Sequence, residues 1–157
     1  MLKRIASFHA LPLESRLLFL RAWLMLGWYR AAIQLVSFRR LSANLNHSAV
    51  PVAPATTTAS QRELAALTGR LVARAAVWTP WNSTCLVQVL VLQRLLAARG
   101  IPGQFCLGAN QSQERAEGGA ELLAHAWVQC GDSIVNGADG HELFEVLSTY
   151  SWGGRSD

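Results

Sequence analysis

The feature that most constrains this chain is an apolar run, residues 86–98, that begins directly after Cys85. It reads LVQVLVLQRLLAA, and its leucine, alanine, glutamine and arginine residues are strong helix formers. Gly100 and then Pro102 follow, and these residue types commonly stand just beyond the end of a helix. The pattern predicts a strongly apolar helix around which the rest of the chain is organised.

Cys85 is predicted to lie in the first turn of that helix. Asn82, Ser83 and Thr84 precede it, and all three are residue types that cap helix N-termini. The free backbone N–H groups and the dipole at a helix N-terminus favour a negative charge, such as a thiolate. The Cys85 N–H is also a candidate oxyanion donor, with a second donor expected from Trp81, Asn82 or another loop. The alternative is a core cysteine, because free cysteines are among the most buried residues.

His125 lies in a second informative stretch, residues 124–130, which reads AHAWVQC and has strand character. Gly131 and Asp132 then give a turn signal, and residues 133–136 read as another strand. A cysteine at a helix start, a histidine on a later strand and an Asp or Asn beyond it match a nucleophile, its base and an orienting group. A lone histidine on a strand is more often structural, but the two signals together favour catalysis.

Four short motifs together resemble the lasso-peptide leader peptidases, the B-type maturation proteins of lasso-peptide gene clusters. This family is a branch of the transglutaminase-like cysteine protease superfamily. The motifs are CLVQ at 85–88, LQRLL at 92–96, RGIP at 99–102 and AHAWV at 124–128. The resemblance covers nearly the whole chain and implies a papain-like arrangement with a Cys–His–Asp triad, so that Cys85 and His125 carry over directly.

The third triad member does not carry over, because Gly137 stands after Asn136 where relatives commonly have an Asp. Asp132 belongs to the predicted hairpin turn and would be remote from His125. A two-residue turn puts Asn136 on the face of His125, whereas a three-residue turn puts Asp139 there. Since a carboxylate stabilises an imidazolium better than an amide does, Asp139 is predicted first and Asn136 second. Asp139 could instead cap the helix that follows.

The resemblance also implies a function and its partners. Members of the family remove the leader peptide from a lasso-peptide precursor during maturation. The implied partners are the precursor peptide, a separate leader-recognition protein and an ATP-dependent lasso cyclase that closes the macrolactam. Water completes the hydrolysis, so no cofactor and no metal are expected. Two alternatives remain: a transamidating enzyme of the same superfamily, and a non-catalytic partner-binding module that retains the fold.

Composition narrows the class of protein. The net charge is +4, but the basic residues are dispersed, so no nucleic-acid partner is predicted. The three cysteines are odd in number, which argues against a disulfide framework and favours a reduced, cytoplasmic protein. Their spacing does not match a zinc site. Residues 13–36 are apolar, but Arg21 and Arg30 interrupt them. We therefore expect one or two amphipathic helices there, and no transmembrane span.

The predicted architecture is α+β, with a helical N-terminal part followed by a core of the papain or transglutaminase type. Residues 1–41 are the helical segment, residues 42–59 a polar linker or loop, and residues 60–157 the peptidase core. In this core the cysteine helix packs on a small antiparallel sheet.

Four finer predictions concern elements of that core. Ser60 and Glu63 have the spacing of a capping box at the start of a helix that ends near Trp78. Residues 104–109 read as a strand, residues 110–119 as a loop and residues 142–147 as a short closing helix.

Overall fold

The computed structural model describes residues 12–110 and 123–153, which form an α+β fold with the helices first. The helices are α1 (Leu13–Leu35), α2 (Phe38–Leu41), α3 (Ala59–Val77) and α4 (Cys85–Ala97). The strands are β1 (Asn46–Ser48), β2 (Gly103–Asn110), β3 (Leu123–Cys130), β4 (Ser133–Asn136) and β5 (Glu145–Trp152). The predicted order of a helical front part, a cysteine helix and then an antiparallel sheet is confirmed.

Helix α4 lies in the middle of the core and packs against α1, α3, β2 and β3. It is apolar on nearly every side, and a helix of that kind is stable only when it is buried. Its buried residues are Val87, Val89, Leu90, Val91, Leu92, Gln93, Leu95 and Leu96. The helix ends before Gly100, as predicted, and this glycine adopts a left-handed backbone conformation with φ of 65°. Cys85 is the first residue of this central helix.

Helix α1 packs on α3 and α4 through one of its two apolar faces. Its residues Leu18, Phe19, Ala22 and Leu26 belong to the same core cluster as the buried side chains of α4. The opposite face carries exposed leucine and tryptophan side chains: Leu13, Leu17, Leu20, Leu24, Trp28 and Leu35. Within the described ranges, no helix combines the length and the apolar character that crossing a membrane would need.

The aromatic residues of α1 divide between these two faces. Trp23 and Tyr29 pack against the core. Trp28 is 62% exposed, and its ring lies 4.9 Å from that of Tyr29 between centroids. Trp23 and Tyr29 therefore join α1 to the core, and Trp28 contributes to the outer surface of the helix.

A capping box begins α3, but two residues earlier than predicted. The Gln61 backbone N–H donates to the Thr58 hydroxyl at 3.2 Å, and the Thr58 N–H donates to the Gln61 side-chain oxygen at 2.9 Å. The predicted pair, Ser60 and Glu63, is therefore wrong as the box, because the helix already begins at Ala59. The predicted end is confirmed, since Val77 is the last helical residue.

One antiparallel sheet contains the five strands found in the described residues, in the order β1-β5-β2-β3-β4. The prediction of a closing helix at residues 142–147 is wrong. A single 3-10 turn, His141–Leu143, precedes β5. Strand β5 pairs with β1 on one side and β2 on the other, and this backbone pairing outweighs the local helix propensity.

The predicted linker, residues 42–59, contains β1, and its next part contacts the sheet. The Gln104 side chain donates to the Val52 carbonyl at 3.1 Å, which ties this segment to β2. At the other end of the chain, buried Trp152 donates from its indole N–H to the Ile101 carbonyl at 2.9 Å. The division into three segments stays a prediction, and most of the predicted loop at 110–119 lies outside the described residues.

Candidate active site

Cys85 is half-buried at the N-terminus of α4. Thr84 precedes it in an extended conformation, with φ of −59° and ψ of 162°, and its side chain makes no capping hydrogen bond. The first backbone hydrogen bond of the helix runs from the Gln88 N–H to the Thr84 carbonyl at 3.1 Å. The N–H groups of the first helical turn are therefore not used within the helix, and they point toward whatever lies beyond its end.

The loop before Cys85 is held by the Thr79 hydroxyl. This hydroxyl lies 2.7 Å from the Ala76 carbonyl oxygen, 2.9 Å from the Trp81 carbonyl oxygen and 2.9 Å from the Ser83 hydroxyl. The Trp81 ring packs on the Trp23 ring of α1, with 5.2 Å between centroids. These contacts fix the conformation of the loop that leads into Cys85.

The other two cysteines are buried in the sheet. Burial raises the pKa of the Cys106 thiol, although its contact with the Thr149 hydroxyl at 3.9 Å acts in the opposite direction. Burial raises the pKa of the Cys130 thiol from 9.0 to about 11. Both groups therefore stay protonated at neutral pH, and Cys85 is the cysteine that reaches the surface.

His125 is half-buried on β3, opposite Gly108 of β2. Its Nε2 lies 2.9 Å from the carbonyl oxygen of Gly137. The ring is flanked by Trp127, at 5.9 Å between centroids, and by Phe144 at 5.1 Å. A backbone carbonyl and two aromatic rings thus set the orientation of this imidazole.

The hairpin that follows His125 has the two-residue turn, with Cys130 opposite Ser133. That turn alone would bring Asn136 to the face of His125. However, the register shifts by a bulge next to Val128, so that Asn136 lies opposite Val128 and shares the face that is buried in the core. The Asn136 side chain accordingly donates to the Gln88 side-chain oxygen of α4 at 3.3 Å.

Asp139 and His125 line one cleft of about 350 Å³, together with Asn136, Gly137 and Arg70. Helix α3 forms the other wall of this cleft through Gly69, Arg70 and Ala73. Asp139 is exposed, and within the described part of the chain it has no hydrogen bond to His125. Asp132 is exposed in the hairpin turn, as predicted.

Two of the candidate residues are hydrogen-bonded to residues that were not candidates: His125 to Gly137, and Asn136 to Gln88. In residues 12–110 and 123–153, no hydrogen bond joins the Cys85 sulfur to His125. Cys85 and His125 are linked indirectly through Gln88. Its amide nitrogen donates to the Ser83 carbonyl at 3.0 Å, and its amide oxygen accepts from the Asn136 side chain. Ser83 is two residues before Cys85, and Asn136 is next to the residue that holds His125.

Gln88 and Gly137 were not identified from the sequence as site residues. For Gln88 a signal existed, since it is a polar residue in a strongly apolar helix and such side chains are usually hydrogen-bonded when buried. For Gly137 no such signal existed, because every residue has a backbone carbonyl and its role does not depend on the residue type. Across the described ranges, no group of three His, Cys, Asp or Glu side chains is placed to hold a metal ion.

The family model for the transglutaminase-like superfamily matches residues 22–149 of this chain. The match includes most of α1, the cysteine helix and the histidine strand, and the chain belongs to that superfamily. No curated protein and no solved structure matches the chain. The superfamily generally contains cysteine proteases and transglutaminases, and this defines the general class of chemistry for which Cys85 and His125 are candidates.

Proposed function

We propose that this protein is a cysteine peptidase in which Cys85 is the nucleophile and His125 the general base and acid. The observation that carries the proposal is the position of Cys85, half-exposed at the free N-terminus of the buried helix α4. A helix N-terminus supports a thiolate through its unpaired N–H groups. It can also donate a hydrogen bond to the oxyanion that forms on the scissile carbonyl.

The proposed reaction has two steps. In the first, the Cys85 sulfur bonds to the scissile carbonyl carbon, and the His125 imidazole gives the leaving amine the proton that it took from the thiol. The peptide C–N bond breaks and an acyl-enzyme forms, with the Cys85 N–H as a donor to the oxyanion. In the second step a water molecule, deprotonated by His125, attacks the thioester and releases the acid.

The proposed substrate is the precursor of a lasso peptide, from which the enzyme removes the leader in the cytoplasm. The support is the set of short motifs around Cys85 and His125 that resemble the leader peptidases. A separate leader-recognition protein would present the precursor, and an ATP-dependent lasso cyclase would use the released core peptide. The cleft beside His125 carries Arg70 and Asp139, so it offers one positive and one negative side chain to the charges of a bound peptide.

The alternative of a non-catalytic binding module is favoured by one observation. The hydrogen-bond partner of His125 is a neutral carbonyl, whereas a carboxylate would stabilise an imidazolium more strongly. Transamidation remains the other alternative within the superfamily. It differs in the fate of the acyl group, which an amine would take instead of water.

The test is mass spectrometry of the products from the purified protein, a lasso precursor peptide and the leader-recognition protein. We expect two fragments whose masses sum to the precursor plus one water. Cys85→Ala and His125→Ala should each abolish cleavage, whereas the matched variant Cys106→Ala should retain it. Full cleavage by Cys85→Ala would reject the nucleophile, and a cross-linked product with loss of ammonia would identify a transamidase.

A further inference from the structure

The Gly137 carbonyl stands where a carboxylate would orient the imidazole in a Cys–His–Asp triad. We propose that this carbonyl is the third group of the site, and that Gln88 and Asn136 are the positioning residues that hold it there. The inference rests on the proposed function, since it assigns roles around the same Cys85 and His125. It replaces Asp139, the candidate from the sequence, with a backbone atom.

The hydrogen bond to Gly137 determines which nitrogen of His125 is the base. A carbonyl oxygen only accepts hydrogen bonds, so Nε2 must carry the hydrogen in the 2.9 Å contact. In the neutral ring Nδ1 is then the unprotonated nitrogen, with its lone pair available to a thiol. The carbonyl thus performs the tautomer-fixing part of the third group's role, without supplying a negative charge.

The backbone at Gly137 excludes an Asp side chain at this position. Its φ is 73°, in the left-handed region that glycine adopts without strain. A Cβ atom at this position would lie 2.6 Å from the Ala126 carbonyl oxygen and 3.0 Å from the Trp127 Cβ. An Asp side chain therefore cannot be accommodated at residue 137 in this backbone arrangement. The group of this residue that makes a hydrogen bond with His125 is its backbone carbonyl.

Gln88 joins the two halves of the site. Its amide nitrogen donates to the Ser83 carbonyl at 3.0 Å, and its amide oxygen accepts from the Asn136 side chain at 3.3 Å. Ser83 belongs to the loop that leads into Cys85, and Asn136 directly precedes Gly137. One amide side chain therefore fixes the position of the end of β4, and of the carbonyl that follows it, relative to the cysteine.

Because Asn136 is buried, its amide depends on the hydrogen bond to Gln88. Asn136 is 9% exposed, and leaving its amide unpaired in the core would cost free energy. When the Gln88 partner is lost, the end of β4 is expected to shift so that Asn136 reaches water. Gly137 moves with it, and a displacement of about 1 Å at a catalytic group is enough to lower turnover on the order of a hundredfold.

The experiment compares Gln88→Met and Asn136→Ala with the control Gln93→Met, which removes another largely buried amide from the same helix. We expect the first two variants to lower kcat for leader cleavage roughly a hundredfold with KM nearly unchanged. In protein labelled with 15N at histidine, NMR should show the Nε2–H tautomer of His125 in the wild type and a mixture in both variants. The control should keep the wild-type kcat and tautomer.

Circular dichroism establishes first that each variant is folded. Wild-type kcat and an unchanged tautomer in folded Gln88→Met would overturn the positioning role. Loss of turnover and of the Nε2–H tautomer in Asp139→Ala would assign the third group to Asp139 instead. The NMR signal does not depend on cleavage, so it tests the carbonyl even where a lack of any Cys85-dependent activity rejects the peptidase function.

Discussion

At the scale of single residues, the three cysteines show how position separates chemically identical groups. Cys85 is half-buried at a helix N-terminus, whereas Cys106 and Cys130 are buried in strands. Burial disfavours a thiolate because the charge loses its hydration. The local sequence carries this distinction, since Cys85 follows three capping residue types, whereas Cys106 and Cys130 stand in runs with strand character.

Alkylation should reveal that difference directly. With a limiting amount of iodoacetamide at neutral pH, we expect Cys85 to be modified at least about tenfold faster than the two buried cysteines, because the thiolate at an accessible site is the reactive form. Peptide mapping by mass spectrometry measures the rates, and Cys85→Ala should lose the fast phase. Earlier modification of Cys106 or Cys130 would contradict the assignment.

The Cys130 thiol should also make stability depend on pH. Its folded-state pKa is raised from 9.0 to about 11, so above about pH 9 the unfolded chain loses this proton while the folded chain keeps it. The unfolded state then binds fewer protons, and the free energy of unfolding falls as the pH rises from about 9 to about 11. Between pH 8 and pH 10 we expect this loss to be on the order of 1 kcal/mol larger in the wild type than in Cys130→Ala, measured by urea unfolding. Equal losses in the two proteins would show that Cys130 does not contribute.

At the scale of elements, the long helices were predictable, whereas two strands, β1 in the predicted linker and β5, were not. Caps, propensities and Gly100 defined α4 locally, and the strand of His125 was recognised by its composition. Strand β5 was missed because residues 142–147, with the sequence ELFEVL, also suit a helix. Its strand state depends on β1, about a hundred residues earlier, and on β2, and no local window contains them. The bulge beside Val128 was invisible for the same reason, and it moved Asn136 to the other face of the sheet.

The start of α3 offers a quantitative check at this scale. Thr58→Ala removes the hydroxyl that accepts from the Gln61 N–H, and we expect it to lower the free energy of unfolding by about 1 kcal/mol. Glu63→Ala, at the position that the sequence suggested for the box, should change it by less than about 0.5 kcal/mol. Urea unfolding curves measure both. A larger loss in Glu63→Ala would restore the original assignment of the cap.

At the scale of the whole molecule, α1 is part of the core around the cysteine helix. Its inner face joins the same cluster as α4, and the Trp23 ring packs against the Trp81 ring in the loop that leads to Cys85. The sequence could predict an amphipathic helix here but not which surface it covers. The packing surface is a property of the tertiary structure, and α1 has two apolar faces of similar character.

Two leucines of α1 test which face matters. Leu26 is fully buried and Leu24 is 59% exposed, although only one residue lies between them. We expect Leu26→Ala to lower the free energy of unfolding by about 2–5 kcal/mol, because it leaves a cavity in the core. Leu24→Ala should cost less than about 0.5 kcal/mol. Equal effects of the two substitutions on urea unfolding would mean that the helix is rotated or detached in solution.

The place of β5 in the sheet has a consequence for how a newly made chain matures. Among the described strands it is the last to be synthesised, yet β1 has no other strand partner and β2 has an open edge until it arrives. A nascent chain that already contains Cys85 and His125 therefore carries an unpaired sheet edge, which invites association with other chains. Pairing across so much sequence is also slow. Cys85 is thus translated well before the sheet that contains His125 is complete, so we expect the proposed activity to begin only after residue 152 has been made.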